Sequence, residues 1–159
     1  MTVYSDATED EALDRQLVTE AMNSVLSTVD HRDWDRLRDI FTGEVVLDYR
    51  TFNKGGDAVT VPVDAIIARV KQQLGCFTAT RHMLANHVVQ VSGDKAEARA
   101  TAAVHLYFRG ETDEHLKHVG DYVAKLHRVD GRWRVAHWGY DHLWSEGDPG
   151  LADRAQAAE

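Results

Sequence analysis

The chain has 159 residues, 43% of them hydrophobic, a length that supports one domain burying roughly two-thirds of its unfolded surface. Its 18 Lys and Arg against 26 Asp and Glu give a net charge of -8, which repels phosphate backbones and anionic lipid, so neither nucleic acid nor a membrane is expected as a partner. The single cysteine, Cys76, excludes an internal disulfide and any multi-cysteine metal site, and the absence of an apolar leader or a long apolar run reads as cytoplasmic.

After an acidic opening, Leu13, Leu17, Ala21, Val25 and Leu26 recur at helical spacing, and Glu9, Asp10 and Glu11 favour the amino-terminal end of a helix over about residues 9 to 28. A second, short helix places Trp34, Leu37, Ile40 and Phe41 on one face and stops at Gly43. Residues 44–52 alternate as a half-buried strand, with Val45, Leu47 and Tyr49 on one side, and residues 53–57 read as a loop. Pro62 suits a first helical turn, and Ile66, Ile67, Val70 and Leu74 give a third helix ended by Gly75. Four long strands follow, at about 77–92, 95–109, 115–129 and 132–145, and Gly93-Asp94 and Asp130-Gly131 are hairpin signals between them. Helices first and an antiparallel meander last predict an α+β fold whose curved sheet wraps helices and leaves a cavity. The segment after Gly147, with Pro149 and an Ala-rich end, reads as a frayed or loosely packed tail at about 148–159.

The run Asp30-His31-Arg32-Asp33-Trp34-Asp35-Arg36-Leu37-Arg38, followed by Leu47-Asp48-Tyr49-Arg50-Thr51-Phe52, resembles the scytalone dehydratases within the SnoaL-like, nuclear-transport-factor-like group. The resemblance continues through Arg81-His82, His105, Asp130-Gly131-Arg132-Trp133, Asp141 and Trp144, over about residues 20 to 147. It implies a cone-shaped α+β barrel of three helices on a strongly curved sheet. In that family an aspartate ending the first helix holds a sheet histidine that removes a proton beside a carbonyl while a hydroxyl leaves. Asp30 and His82 match those two positions, His105 matches a second histidine on the next strand, and Tyr49 matches a tyrosine that holds a water on the substrate carbonyl. The family's tyrosine before the aspartate is Val29 here, and its sheet serine and asparagine align with Gly120 and Tyr122, so scytalone itself is not the expected substrate. Val29, Phe52 and Tyr122 are the expected substrate-binding wall.

A histidine titrates near neutrality, and a carboxylate on one ring nitrogen fixes the tautomer and stabilises the imidazolium, which suits His82 and Asp30 to general-base work. The residues alone also allow Asp30 to cap the second helix and His82 to be a satisfied core histidine. Alternation groups His105 with Thr101 and Ala103, small neighbours that would leave room for a ligand, and His105 is read as facing the pocket. No metal is expected: His115 with His118, and His137 with His142, are spaced so that a regular strand turns each pair to opposite faces. No phosphate-binding glycine motif or serine nucleophile elbow occurs, so no cofactor is expected. The reading is a cofactor-independent lyase, dehydratase in type, acting on a small hydroxy-carbonyl or polyketide-like molecule. Polyketide cyclases, isomerases and a dehydrohalogenase share the fold and remain alternatives, as does a non-catalytic carrier or assembly subunit. The aromatic outer face of the sheet leads us to expect a homo-oligomer, a trimer or dimer.

Overall fold

The computed structural model describes residues 8–110 and 112–157. Helix α1 (Glu9–Asp30) opens on Thr8, whose hydroxyl accepts the Glu11 amide, with Glu9, Asp10 and Glu11 at the positive end of the helix dipole. Its buried stripe is Val18, Ala21, Met22, Val25, Leu26 and Val29. The helix runs two residues past the expected end, so Asp30 is its last residue, and the side chain that caps α2 (Trp34–Ile40) is Asp33. Strand β1 (Phe41–Asp48) leads through a turn to β2 (Val59–Pro62), a short strand absent from the sequence reading because three of its four residues are exposed. Pro62 is thus the cap of α3 (Val63–Leu74) and the end of a strand, one position earlier than expected.

The four long strands are β3 (Ala79–Ser92), β4 (Lys95–Arg109), β5 (Asp113–Val129) and β6 (Arg132–Glu146). With β1 and β2 they form one sheet in the order β2-β1-β6-β5-β4-β3, antiparallel except for the parallel β1–β6 pair, so the α+β cone fold is present as an open sheet with β2 and β3 at its edges. The Gly93 and Asp130-Gly131 hairpins have the positive φ their turns require. Irregularities in register after Ala85 on β3, and between Val119 and Gly120 on β5, interrupt the ladder where a long sheet has to bend.

The expectation of a loose tail is corrected over residues 148–157, and its last two positions, 158 and 159, lie outside the described residues. Helix α4 (Leu151–Ala157) follows Gly147, and its Leu151 and Ala155 are completely buried. Two apolar residues four apart form one helical face, and that face closes on the core rather than fraying. No helix among the described residues is long and apolar enough to cross a membrane.

Candidate active site

On β4 the buried positions are Ala96, Ala98, Ala100, Ala102, Val104 and Leu106, and this face turns toward the helices. The register aligns His82 on β3 with Val104 on β4 and His118 on β5, a row running across the inner face of three strands. Between this face and the helices lies a cavity of about 280 Å³. Aliphatic residues, including Leu26, Val29, Ile66, Val104 and Leu116, form much of its wall. His82, His118, Tyr49, Tyr122 and Tyr140 are its main polar groups within, and Asn53, Arg69, Gln73 and Gln156 also line it.

Asp30 and His82 meet inside. His82 Nδ1 lies 2.7 Å from Asp30 Oδ1, and the two side chains are 4% and 5% exposed. The same oxygen accepts the Thr80 hydroxyl at 2.9 Å, and Oδ2 accepts the His82 backbone N–H at 2.8 Å. Burial alone would push the Asp30 carboxyl up, yet the ring and backbone N–H of His82 and the Thr80 hydroxyl outweigh it and hold it below its ordinary value. A carboxylate held in this way accepts a hydrogen bond from Nδ1–H, which leaves Nε2 of His82 as the nitrogen with a free lone pair. Behind the pair, Arg32 Nη1 donates to the Thr80 hydroxyl at 3.0 Å and to the Val29 carbonyl at 2.8 Å, while Nη2 donates to the Leu74 carbonyl at 2.9 Å. Arg32 has a positive φ of 59°, so the chain turns sharply right after α1 and sends this guanidinium back under the sheet.

Residues 10–139 match the family described as a SnoaL-like domain. The chain belongs to that family. Uncharacterized protein Rv2910c of Mycobacterium tuberculosis is 30% identical over 129 residues, spanning 79% of this chain and 82% of its own. A scytalone dehydratase-like protein from Novosphingobium aromaticivorans superposes with a TM-score of 0.77 at 18% identity, covering 92% of this chain and 95% of that one. Hexachlorocyclohexane dehydrochlorinase LinA-type3 from Novosphingobium barchaimii gives a TM-score of 0.69 at 17% identity, with 89% and 94% covered. Both structural likenesses establish a shared fold.

In this SnoaL-like domain, Val29, Tyr49, Phe52 and Tyr122 all line the cavity with His82. Burial pushes the Tyr49 phenol up to about 12, against a Trp138 hydrogen bond and the charge of Arg69 that pull it down. Tyr122 is 5% exposed, stacks on Trp138 with centroids 4.9 Å apart, and sits 6.4 Å from the His82 ring. Phe52 is edge-on to His118 at 5.0 Å.

His105 is the exception, and its expected place in the pocket is corrected. It does share a face with Thr101 and Ala103, but that face is the outer one, because the alternate set carries the aliphatic bulk that the core demands. There it stacks on His115 at 5.1 Å, with Nδ1 2.9 Å from His115 Nε2. Burial, then the charges of His115 and Lys117, push the His105 ring down.

The second histidine of the cavity is His118. Its Nδ1 is 2.7 Å from the Ser145 hydroxyl, which is also 2.8 Å from His142 Nε2. Burial, with a smaller contribution from His142, pushes His118 down to about 4, so it is neutral at pH 7. Parity along β5 would have located it, since His118 is an even number of residues from Tyr122. The same parity on β6 would have placed Tyr140 with Trp138, whereas Arg69, Asn53, Gln73 and Gln156 carried no comparable signal.

Proposed function

We propose that this chain is a cofactor-independent lyase that takes a proton from carbon beside a carbonyl and expels a hydroxyl, or a comparable group, from the next carbon. His82 Nε2 takes the proton, the carbon's electron pair forms the enolate, and collapse of the enolate makes the double bond as the leaving group departs. The imidazolium returns its proton to the departing hydroxyl, which leaves as water. The carrying observation is the buried Asp30–His82 pair, 2.7 Å apart, at the wall of a mainly apolar cavity. Asp30 holds the tautomer and stabilises the imidazolium, and proton abstraction by a base so placed contributes about a hundredfold to ten-thousandfold. His118, neutral and tied to Ser145, takes the part of second polar group that sequence gave to His105. The proteins of this fold named as a scytalone dehydratase-like protein and a dehydrochlorinase are both named for eliminations, which favours that outcome over ring closure.

The test uses 4-(4-nitrophenoxy)butan-2-one, which releases yellow nitrophenolate when the proton beside its carbonyl is removed. His82→Ala and Asp30→Asn should each lose at least about a hundredfold in kcat/KM, and the double variant should be little worse than either. Wild-type turnover in His82→Ala, with an unchanged melting temperature, would overturn the assignment.

A further inference from the structure

The Tyr140 side chain is 3% exposed, lines the cavity, and its hydroxyl is buried with no hydrogen-bond partner. Buried hydroxyls are nearly always paired, so an orphan one at a cavity wall marks the place of a ligand atom. Its ring is held on several sides: Tyr122 lies 4.8 Å away and Phe52 6.0 Å away, centroid to centroid. Its backbone is fixed as well, because the Thr51 hydroxyl donates to the Tyr140 carbonyl at 2.8 Å and accepts the His142 amide at 2.9 Å. Gly120 makes the space, since a Cβ there would stand 3.0 Å from Tyr140 Cζ and 2.2 Å from the Asp141 carbonyl oxygen. The hydroxyl therefore cannot swing to a partner elsewhere without moving β6.

The neighbours define what it waits for. Tyr49, Tyr122 and Tyr140 are all pushed above the ordinary phenol value, chiefly by burial, so each keeps its proton. Tyr49 also raises both of the others, and Tyr140 raises Tyr122, which places them together. Tyr49 already accepts a hydrogen bond from Trp138, which leaves its own proton to donate. No carboxylate side chain lines the cavity among the described residues. The three phenols of this wall keep protons to donate, and a ligand oxygen is the group that accepts them. Tyr122 packs 4.8 Å from Tyr140 and 6.4 Å from the His82 ring, so an aromatic surface that suits a planar molecule adjoins both the orphan hydroxyl and the base.

We infer that Tyr140 binds the substrate's carbonyl oxygen and holds the negative charge that grows there as the neighbouring proton is lost, so that the substrate class is cyclic or conjugated ketones. The assignment deepens the lyase reading and rests on it for the identity of the reacting oxygen. The carbonyl oxygen accepts from the Tyr140 hydroxyl throughout, and the bond strengthens as the oxygen becomes an enolate.

The experiment measures binding without turnover. 1-Indanone and indane have the same ring skeleton and differ by the carbonyl oxygen. Wild-type protein should bind 1-indanone about tenfold more tightly than indane, Tyr140→Phe should lose that preference, and the affinity for indane should be unchanged. In wild-type protein the infrared C=O stretch of bound 1-indanone should shift to lower frequency and return toward the free value in Tyr140→Phe. His82→Ala should keep both signatures even while it loses turnover, which separates a failure of this inference from a failure of the base assignment. Equal affinity for the two probes in the wild type, failure of 1-indanone to bind, or a ketone preference that survives in Tyr140→Phe would overturn it.

Discussion

Asp30 is a carboxylate at the carboxyl end of a helix, where the dipole disfavours negative charge, and it is stabilised there by three donors from β3. Because its folded pKa lies below the unfolded value near 3.9, its contribution is present above that value and is lost as pH falls through the depressed one. Asp30→Asn keeps an oxygen that can accept from Thr80 but removes the charge. Urea denaturation should therefore show a loss of about 1 kcal/mol at pH 7 that shrinks below about pH 4. A gap that widens in acid would contradict the linkage. At this scale the sequence was legible through likeness more than through spacing. The residues by themselves left Asp30 as a candidate cap, and only the motif resemblance paired it with His82. The supports behind the pair, Thr80 and Arg32, were not legible, since their roles arise when a helix end meets a strand about 50 residues away. His105 was grouped with the correct neighbours and turned to the wrong side. Small residues looked like room for a ligand, whereas a sheet turns its aliphatic set, here Ala102, Val104 and Leu106, toward the core.

Among the elements, α4 changes the picture most, because Ala152 and Gln156, in a segment expected to be loosely packed, line the cavity. Its Arg154 pairs with Asp148 at 2.8 Å and with Glu114, tying the helix to the start of β5. Leu151 has no exposure at all, and Leu151→Ala should destabilise the protein by about 2 kcal/mol, the lower end of such truncations, since a short helix can settle into the gap. Chemical denaturation measures this, and no loss would show that α4 is not docked in solution. The long strands were readable from alternation and hairpin residues, and their bounds fall close to those expected. Two short elements were not. In β2 the side chains are mostly exposed and give no apolar pattern, while in α4 the only pattern is one pair, Leu151 and Ala155.

At the scale of the whole molecule, the outer face of the sheet carries an apolar row in register across four strands, Met83, Ala103, Val119 and Trp144. Met83 is 57% and Trp144 50% exposed. One side of the row is flanked by Arg81 and the Lys117–Glu146 pair, the other by Asp121 and Asp141 sharing Arg99, so the flanks differ in net sign. We propose that a second copy of the chain packs on this row about a twofold axis, which lays the more basic flank of each copy against the more acidic flank of the other. Sedimentation velocity at micromolar concentration should show a species larger than a monomer, and Trp144→Glu should shift it to monomer. A wild-type monomer would reject the proposal.

Gly120 carries a consequence for how this cavity can change over generations. It sits where β5 and β6 lose step, Val119 opposite Trp144 but Gly120 opposite His142, and the strands approach so closely that a backbone oxygen occupies the position of the missing Cβ. Shortening Tyr140 would free the ring's space but not the carbonyl's, so no single replacement, and no pair at 120 and 140, opens that wall to a new side chain. Drift in ligand preference is channelled instead to lining residues that are also exposed, such as Phe52, Arg69 and Gln73. New specificities should accumulate there, while position 120 stays glycine from ancestor to descendant.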